Sequence, residues 1–145
     1  MPPVFVLIKP ASSACNMACE YCFYRDVSDH RVHSFEGMLT LEHMEKVIVS
    51  AMEFAEGSCT FGFQGGEPTL AGLDFYRQVI AMQKRLCKPG VQIFNSLQTN
   101  GLCINEEWAG FLAENHFLVG LSLDGPADLH DLNRKDRHGA GTADR

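Results

Sequence analysis

Apolar residues follow two periodicities along the chain, and together they predict four strands and three helices. Short apolar runs suited to strands cover residues 3–9, 58–64, 91–97 and 117–123. Apolar positions recur at helical spacing over residues 40–57, 74–87 and from 105 onward. Because the strands alternate with the helices, the pattern predicts an α/β fold with a parallel sheet.

Signals at the element ends support these bounds. Thr40 and Asn105 are both residue types that cap helix N-termini. Phe54 continues the apolar face of the first helix, and Trp108 points inward from the third. Residues 10–38 show no such pattern and form a loop far longer than usual connections, and loops of this length are usually functional or disordered.

Cys15, Cys19 and Cys22 lie within eight residues of that loop. Thiolates are soft ligands that suit iron–sulfur clusters, zinc or copper(I), and three of them leave a four-iron cluster with one iron that the protein does not bind. A structural zinc site completed by His30 or His33 is the alternative, although such sites usually have two ligand pairs. A disulfide is a weaker alternative because the chain opens with no export signal.

Composition narrows the class of protein further. The chain has 145 residues, 46% of them hydrophobic, which predicts one domain with an ordinary core. Its net charge of −6 argues against nucleic acid as a partner, since binding to the phosphate backbone relies on clustered Lys and Arg. No apolar run approaches the length of a membrane span and residues 1–3 open no signal segment, so we expect a soluble cytoplasmic protein with no membrane partner.

The remaining unusual groups of residues all follow predicted strands. They cover residues 64–68, 98–101 and 122–126. The carboxyl ends of parallel strands form one rim, where α/β proteins build their active sites. Residues 100–101 and 124–126 taken singly could be ordinary turns, but two glycines and a carboxylate at 65–67 are poorly explained in that way. Glycines let the backbone approach a ligand closely, and Glu67 can accept a hydrogen bond from an ammonium group.

The Cys-x3-Cys-x2-Cys spacing, followed by the aromatic Phe23, resembles the signature of the radical S-adenosylmethionine (SAM) enzymes. The resemblance implies that Cys15, Cys19 and Cys22 hold a four-iron four-sulfur (4Fe-4S) cluster whose fourth iron is chelated by SAM. Residues 65–67 resemble the Gly-Gly-Glu motif that binds the methionine amino group. The SAM-binding residues implied in this way are Tyr21, Gly65, Gly66, Glu67, Ser122 and Arg134.

The individual roles also come from that resemblance. Tyr21 is expected beside the adenine, and Ser122 and Arg134 are expected at the carboxylate or ribose end of SAM. Without the resemblance, Arg134 would more simply be a solvated residue in a basic stretch with Lys135 and Arg137.

Several separate runs resemble one family within this superfamily, the anaerobic sulfatase-maturating enzymes. They cover residues 8–13, 22–24, 63–72, 96–101 and 133–136. Members of that family oxidise a cysteine or serine of a sulfatase to formylglycine. The resemblance predicts an oxidoreductase with a sulfatase polypeptide as substrate and an electron donor such as flavodoxin or ferredoxin. The alternatives are a different peptide-modifying radical SAM enzyme and a zinc-stabilised, non-catalytic binding module.

The chemistry implied by the resemblance is one-electron cleavage of SAM to methionine and a 5′-deoxyadenosyl radical, which takes a hydrogen from the target side chain. The protein then has to hold that radical against one hydrogen and exclude water. Four polar residues are predicted to surround the substrate peptide: Tyr24, Gln64, Gln98 and Asn100. Their alternative role is to close the tops of the strands with hydrogen bonds.

The sequence departs from that family in its length. Family members have two further βα units, which complete a partial (β/α)6 TIM-like barrel, and a C-terminal domain with auxiliary clusters. Cys59, Cys87 and Cys103 lie singly and do not replace those clusters. We therefore expect residues 1–145 to be a truncated radical SAM core, the N-terminal part of a longer protein.

Two expectations follow from the truncation. No catalytic residue is identified in the chain, since the proton-accepting carboxylate of the family is expected beyond Arg145. The strand predicted over residues 117–123 is expected to present an unpaired apolar edge.

Overall fold

A four-stranded parallel sheet organises the protein in the computed structural model, which describes residues 3–145. Its strands are β1 (Val4–Ile8), β2 (Ser58–Phe63), β3 (Gln92–Thr99) and β4 (Leu118–Leu121), in the spatial order β1-β2-β3-β4. All three strand pairings are parallel, so the carboxyl ends of the strands meet at one edge. The predicted α/β fold with four parallel strands is confirmed. The expectation of no signal segment at residues 1–3 lies partly outside the described residues.

Three amphipathic helices pack on one face of this sheet. They are α2 (Leu41–Phe54), α3 (Leu73–Leu86) and α4 (Glu106–Glu114). The Thr40 hydroxyl accepts a hydrogen bond from the His43 N–H, and the Asn105 side chain accepts one from the Trp108 N–H. Both predicted caps are therefore confirmed.

Phe54 is an exception to the predicted apolar face, because its side chain is 56% exposed. It is the last residue of α2, and the chain leaves the helix at Ala55 in an extended conformation. Ala55 is fully buried instead. The prediction that Phe54 faces the core was wrong, because the chain leaves the helix directly after Phe54 and buries Ala55 in its place.

The core lies between the helices and the sheet, with Tyr76 of α3 at its centre. The Tyr76 ring packs edge-on against Phe63, Phe75 and Trp108, with centroids 5.1, 5.4 and 5.2 Å away. Its hydroxyl donates to the carbonyl of Pro68 at 2.9 Å. The core therefore supports the segment that follows β2, at the edge where the strands end.

The other face of the sheet carries exposed apolar side chains. Phe5 and Leu7 of β1 are 64% and 53% exposed, and Phe94 of β3 is 46% exposed. β4 lies at the edge of the sheet, where Leu118 and Leu121 are 75% and 59% exposed. The expected apolar edge on the fourth strand is thus confirmed.

The structure contains three short helices that the sequence pattern did not predict. They are α1 (Phe23–Asp29), a 3-10 helix (Pro68–Ala71) and α5 (Ala127–Asn133). Each has at most seven residues, and helices this short depend on tertiary contacts more than on their own periodicity. Within residues 3–145, the longest helices have 14 residues and none could cross a membrane.

A buried pair of amides joins α3 to β3 and gives the first testable prediction. The Gln83 and Asn95 amides exchange two hydrogen bonds of 2.8 and 2.9 Å. We expect Asn95→Leu to lower the free energy of unfolding by about 1–3 kcal/mol, because the Gln83 amide is then buried without a partner.

The control for this prediction is the double variant Gln83→Leu/Asn95→Leu, which removes both polar groups. Its loss should be smaller than the sum of the two single losses, as urea unfolding of the four proteins would measure. Additive losses would contradict the coupling between the two amides.

Candidate active site

The cysteine loop, residues 9–22, joins β1 to α1 at the carboxyl edge of the sheet. Cys15, Cys19 and Cys22 are half-buried and line one cavity of about 560 Å³. Cys22 is also the N-cap residue of α1. The three predicted ligands are thus brought to one side of the loop by the turn that leads into this helix.

The glycine turn, residues 65–67, lies directly against the cysteine loop. The N–H of Glu67 donates to the carbonyl of Ala14 at 2.7 Å. Gly66 has a positive φ of +60°, and a Cβ atom there would overlap the Ala14 carbonyl oxygen. Only glycine allows this approach, so the sequence motif and the packing of the two segments have the same cause.

The carboxylate of Glu67 is buried beneath the turn, with an exposed fraction of 1%. Its Oε1 accepts from the N–H and the hydroxyl of Thr69 at 3.0 and 2.6 Å, and from the Thr99 hydroxyl at 2.8 Å. Its Oε2 accepts from the Asn100 N–H at 2.8 Å. The carboxylate therefore joins the ends of β2 and β3. Its expected hydrogen bond to a ligand ammonium stays a prediction.

Tyr21, Asp124 and Arg134 form a polar cluster beside the cysteine loop. The Arg134 guanidinium donates to the Tyr21 hydroxyl at 2.8 Å, and that hydroxyl donates to the Asp124 carboxylate at 2.6 Å. Burial and the Asp124 carboxylate raise the pKa of the Tyr21 phenol, which keeps it protonated as a donor. Arg134 itself is only 8% exposed, so it is not a solvated basic residue.

One atom of Arg134 has no partner. Its Nε is buried and makes no hydrogen bond to any described residue. A buried N–H of a guanidinium left unpaired is costly, and an anionic or carbonyl ligand would satisfy it.

α5 and the chain after it hold this polar cluster in place. The buried His130 accepts from the Asp124 N–H through Nδ1, and its Nε2 lies 3.1 Å from the Thr142 hydroxyl. The Thr142 hydroxyl donates in turn to the Arg134 carbonyl at 2.9 Å. This chain of bonds requires the proton of His130 on Nε2, and it fixes the backbone at both Asp124 and Arg134.

The C-terminal segment, residues 133–137, contacts the cysteine loop on its other side. The N–H groups of Ala18 and Glu20 donate to carbonyls of this segment at 2.8 and 2.9 Å. The Arg137 guanidinium donates to the Cys15 carbonyl at 2.8 Å. The cysteine loop is thus held between the glycine turn and the C-terminal segment.

The residues predicted to face the substrate occupy the same rim. Gln98 donates from Nε2 to the Ser122 hydroxyl at 2.9 Å. The Tyr24 ring lies under the Lys9 ammonium, 4.7 Å from its centroid. Asn100 turns toward the cysteine loop, where its Nδ2 donates to the Asn16 side chain at 2.7 Å.

The predicted site residues meet at a second cavity, of about 200 Å³. All thirteen residues predicted to bind metal, SAM or substrate line it. The three other lining residues, Met17, Phe23 and Thr99, were given no binding role by the sequence. The placement required by the sequence hypothesis is therefore present, while the role of each side chain stays a prediction.

Two of the three half-buried thiols are partly shielded from water. Burial raises the pKa of both Cys15 and Cys19, and the Arg134 guanidinium partly opposes this at Cys19. Thiols with a raised pKa are protonated at neutral pH, so metal binding would have to displace their protons.

The histidines proposed to complete a zinc site do not line either of the cavities that the thiols line. The Nδ1 atom of His30 lies 2.7 Å from the carbonyl oxygen of Asp26, at hydrogen-bond distance. The described residues that line the two cavities include neither His30 nor His33. Among residues 3–145, no three His, Cys, Asp or Glu side chains are grouped to hold a single metal ion.

Comparison with known families agrees with this arrangement of residues. The family model of the radical SAM superfamily matches residues 10–145. The chain belongs to the radical SAM superfamily. The match begins at the start of the cysteine loop and includes the glycine turn and the C-terminal segment.

Curated relatives and solved structures give a finer likeness. The chain is 51% identical over 142 residues to a cysteine-type anaerobic sulfatase-maturating enzyme of Clostridium perfringens, covering 98% of this chain and 38% of that protein. It is 41% identical over 140 residues to a serine-type enzyme of Klebsiella aerogenes, covering 97% of this chain and 34% of the relative.

A solved structure shows the same backbone. Native anSMEcpe with bound AdoMet and Cp18Cys peptide matches with a TM-score of 0.89 and 50% sequence identity, covering 97% of this chain and 37% of that one. The chain thus spans little more than a third of the length of these relatives.

Sequence reasoning missed the supports of Arg134. His130 and Thr142 lie in a polar stretch with no periodic pattern, so nothing local pointed to their burial. Asp124 had a usable signal, since it stands two residues after Ser122 at a strand end. Within the Asp-Gly-Pro run at 124–126, however, it is equally typical of an ordinary turn.

The close approach of the glycine turn gives a second prediction. Gly66→Ala should lower the free energy of unfolding by about 2–5 kcal/mol, since it adds steric overlap with the Ala14 carbonyl to the strain of a positive φ. Gly72→Ala is the matched control, because Gly72 also has a positive φ but nothing within 4 Å of its Cβ position.

Chemical denaturation of both variants measures the difference. The Gly72→Ala loss should be about 1–2 kcal/mol, from strain alone. Equal losses in the two variants would show that the glycine turn does not press on the cysteine loop.

Proposed function

We propose that this protein binds a 4Fe-4S cluster through Cys15, Cys19 and Cys22 and uses it to cleave SAM. We further propose that it is the N-terminal, cluster- and SAM-binding part of an enzyme that oxidises a cysteine or serine of a sulfatase to formylglycine. The observation that carries this is the single cavity that the three thiols share with the glycine turn and Arg134.

The donor set fits the cluster. Three thiols are soft ligands typical of iron–sulfur sites, and a set of three leaves one metal position for another molecule. When bound, the cluster and SAM together supply one-electron reductive cleavage of the sulfonium. The protein has to position the cluster and SAM and exclude water from the site.

Arg134 and the glycine turn fit SAM. The unpaired Nε of Arg134 suits the carboxylate or ribose end of the molecule, and Ser122 lines the same cavity. Gly65 and Gly66 line the same cavity, and we propose that their backbone contacts the methionine end of SAM. Tyr21, held by Arg134 and Asp124, is proposed to lie beside the adenine.

The substrate belongs to the proposal as well. Both cysteine-type and serine-type maturating enzymes are similar to this chain, and the matched solved structure contains a peptide. We propose that Tyr24 and Gln64 contact that peptide together with Gln98 and Asn100. The proton-accepting carboxylate is assigned to sequence outside these residues, with the auxiliary clusters.

The proposal also includes an electron donor and a location for the protein in the cell. An electron donor such as flavodoxin or ferredoxin would reduce the cluster. We propose a cytoplasmic location, because all six cysteines are free thiols and thiols stay reduced in the cytoplasm. Residues 1–145 would form one unit, the first four strands of a partial barrel.

The metal ligands give a third prediction. Anaerobic reconstitution of the wild-type protein should give a brown protein with iron and sulfide, and the triple variant Cys15→Ala/Cys19→Ala/Cys22→Ala should lose both. Cys87→Ala is the control, because the Cys87 thiol contacts the Val91 carbonyl at 3.2 Å and lies outside both cavities. A colourless wild-type protein with tightly held zinc would refute the proposal.

Arg134 gives a fourth prediction. Arg134→Lys keeps the positive charge but removes the Nε donor, so SAM should bind the reconstituted protein about tenfold more weakly. Arg77→Lys is the matched control, because Arg77 makes exposed ion pairs with Asp74 and Glu107. Equilibrium dialysis with SAM measures both, and equal affinity in the wild type and Arg134→Lys would contradict the proposed contact.

A further inference from the structure

The Asn100 side chain is turned away from its neighbour on the rim, Gln98. Its Nδ2 lies 2.7 Å from Asn16 Oδ1 and 3.8 Å from the sulfur of Cys15. Gln98 instead donates to the Ser122 hydroxyl. Two amides that the sequence placed in one group, facing the substrate, therefore point to different parts of the site.

The orientation of the Asn100 amide is determined by its own contacts. Its Oδ1 accepts from the Leu102 N–H at 3.1 Å, which leaves the NH2 group facing the cysteine loop. Its backbone N–H is held by the buried Glu67 carboxylate. Neither the backbone nor the amide can rotate without losing one of these bonds.

The orientation of Asn16 is consistent with this. Its Nδ2 lies 3.5 Å from the sulfur of Cys103, so its Oδ1 faces Asn100. One hydrogen of the Asn100 NH2 group is then used on Asn16. The other is directed at the thiol of Cys15, which also receives the Met17 N–H at 3.4 Å.

We propose that Asn100 is a positioning residue for the cluster, donating an N–H to the Cys15 sulfur and thereby raising the cluster's reduction potential. The inference rests on the proposed function, because it requires that Cys15 is a cluster ligand. A reduced cluster carries more negative charge on its sulfurs, and a hydrogen-bond donor stabilises that charge. The side chain thus acts on the metal site, in addition to the peptide contact proposed above.

The first test is a redox titration of reconstituted protein without SAM, followed by electron paramagnetic resonance. Asn100→Ala should shift the midpoint potential to a more negative value while the iron content stays at the wild-type level. Gln98→Ala is the matched control and should leave the potential unchanged. An unshifted potential in Asn100→Ala, or equal shifts in both variants, would overturn the inference.

A second measurement uses wild-type protein and does not depend on the variant assembling a cluster. Asparagine labelled with nitrogen-15 only in its side-chain amide is incorporated, and pulsed electron paramagnetic resonance of the reduced cluster is recorded. A hyperfine coupling to the label supports the inference, and its absence overturns it. If the wild-type protein assembles no cluster at all, the proposed function fails first, so the two failures are distinguishable.

Discussion

The carboxylate of Glu67 joins parts of the chain that are far apart in sequence. It accepts four hydrogen bonds, from Thr69, Thr99 and the Asn100 backbone, while the N–H of the same residue holds Ala14. A buried carboxylate is stable only when its oxygens are hydrogen-bonded in this way. The ends of β2 and β3 and the cysteine loop are therefore connected through one residue, and the cysteine loop is positioned by the ends of two neighbouring strands.

The second support of the site comes from the end of the chain. The C-terminal segment pairs with the cysteine loop, and α5 carries His130, whose bonds hold Asp124 and Thr142. Together they bury Arg134 and leave its Nε unpaired. A loop rich in polar groups is thus held on both sides, which suits a site that has to keep three thiols and a guanidinium in fixed positions.

The two faces of the sheet differ in how completely they are covered. Helices cover one face, while apolar side chains such as Phe5 and Leu118 remain exposed on the other face and at the β4 edge. The site lies at the carboxyl rim, where its residues come from loops on a packed scaffold.

The amino-acid sequence predicted the four strands, the three long helices and the rim on which the site is built, because apolar periodicity reports which side of each element is buried. Its motifs also identified thirteen of the sixteen residues that line the second cavity. The burial of Arg134 depends on the folded chain, since its bond to Tyr21 joins residues 113 positions apart. The tertiary structure likewise determines that Asn100 faces Cys15 while Gln98 does not, since side-chain direction at the end of a strand depends on the partners across the rim, and local sequence does not contain those partners.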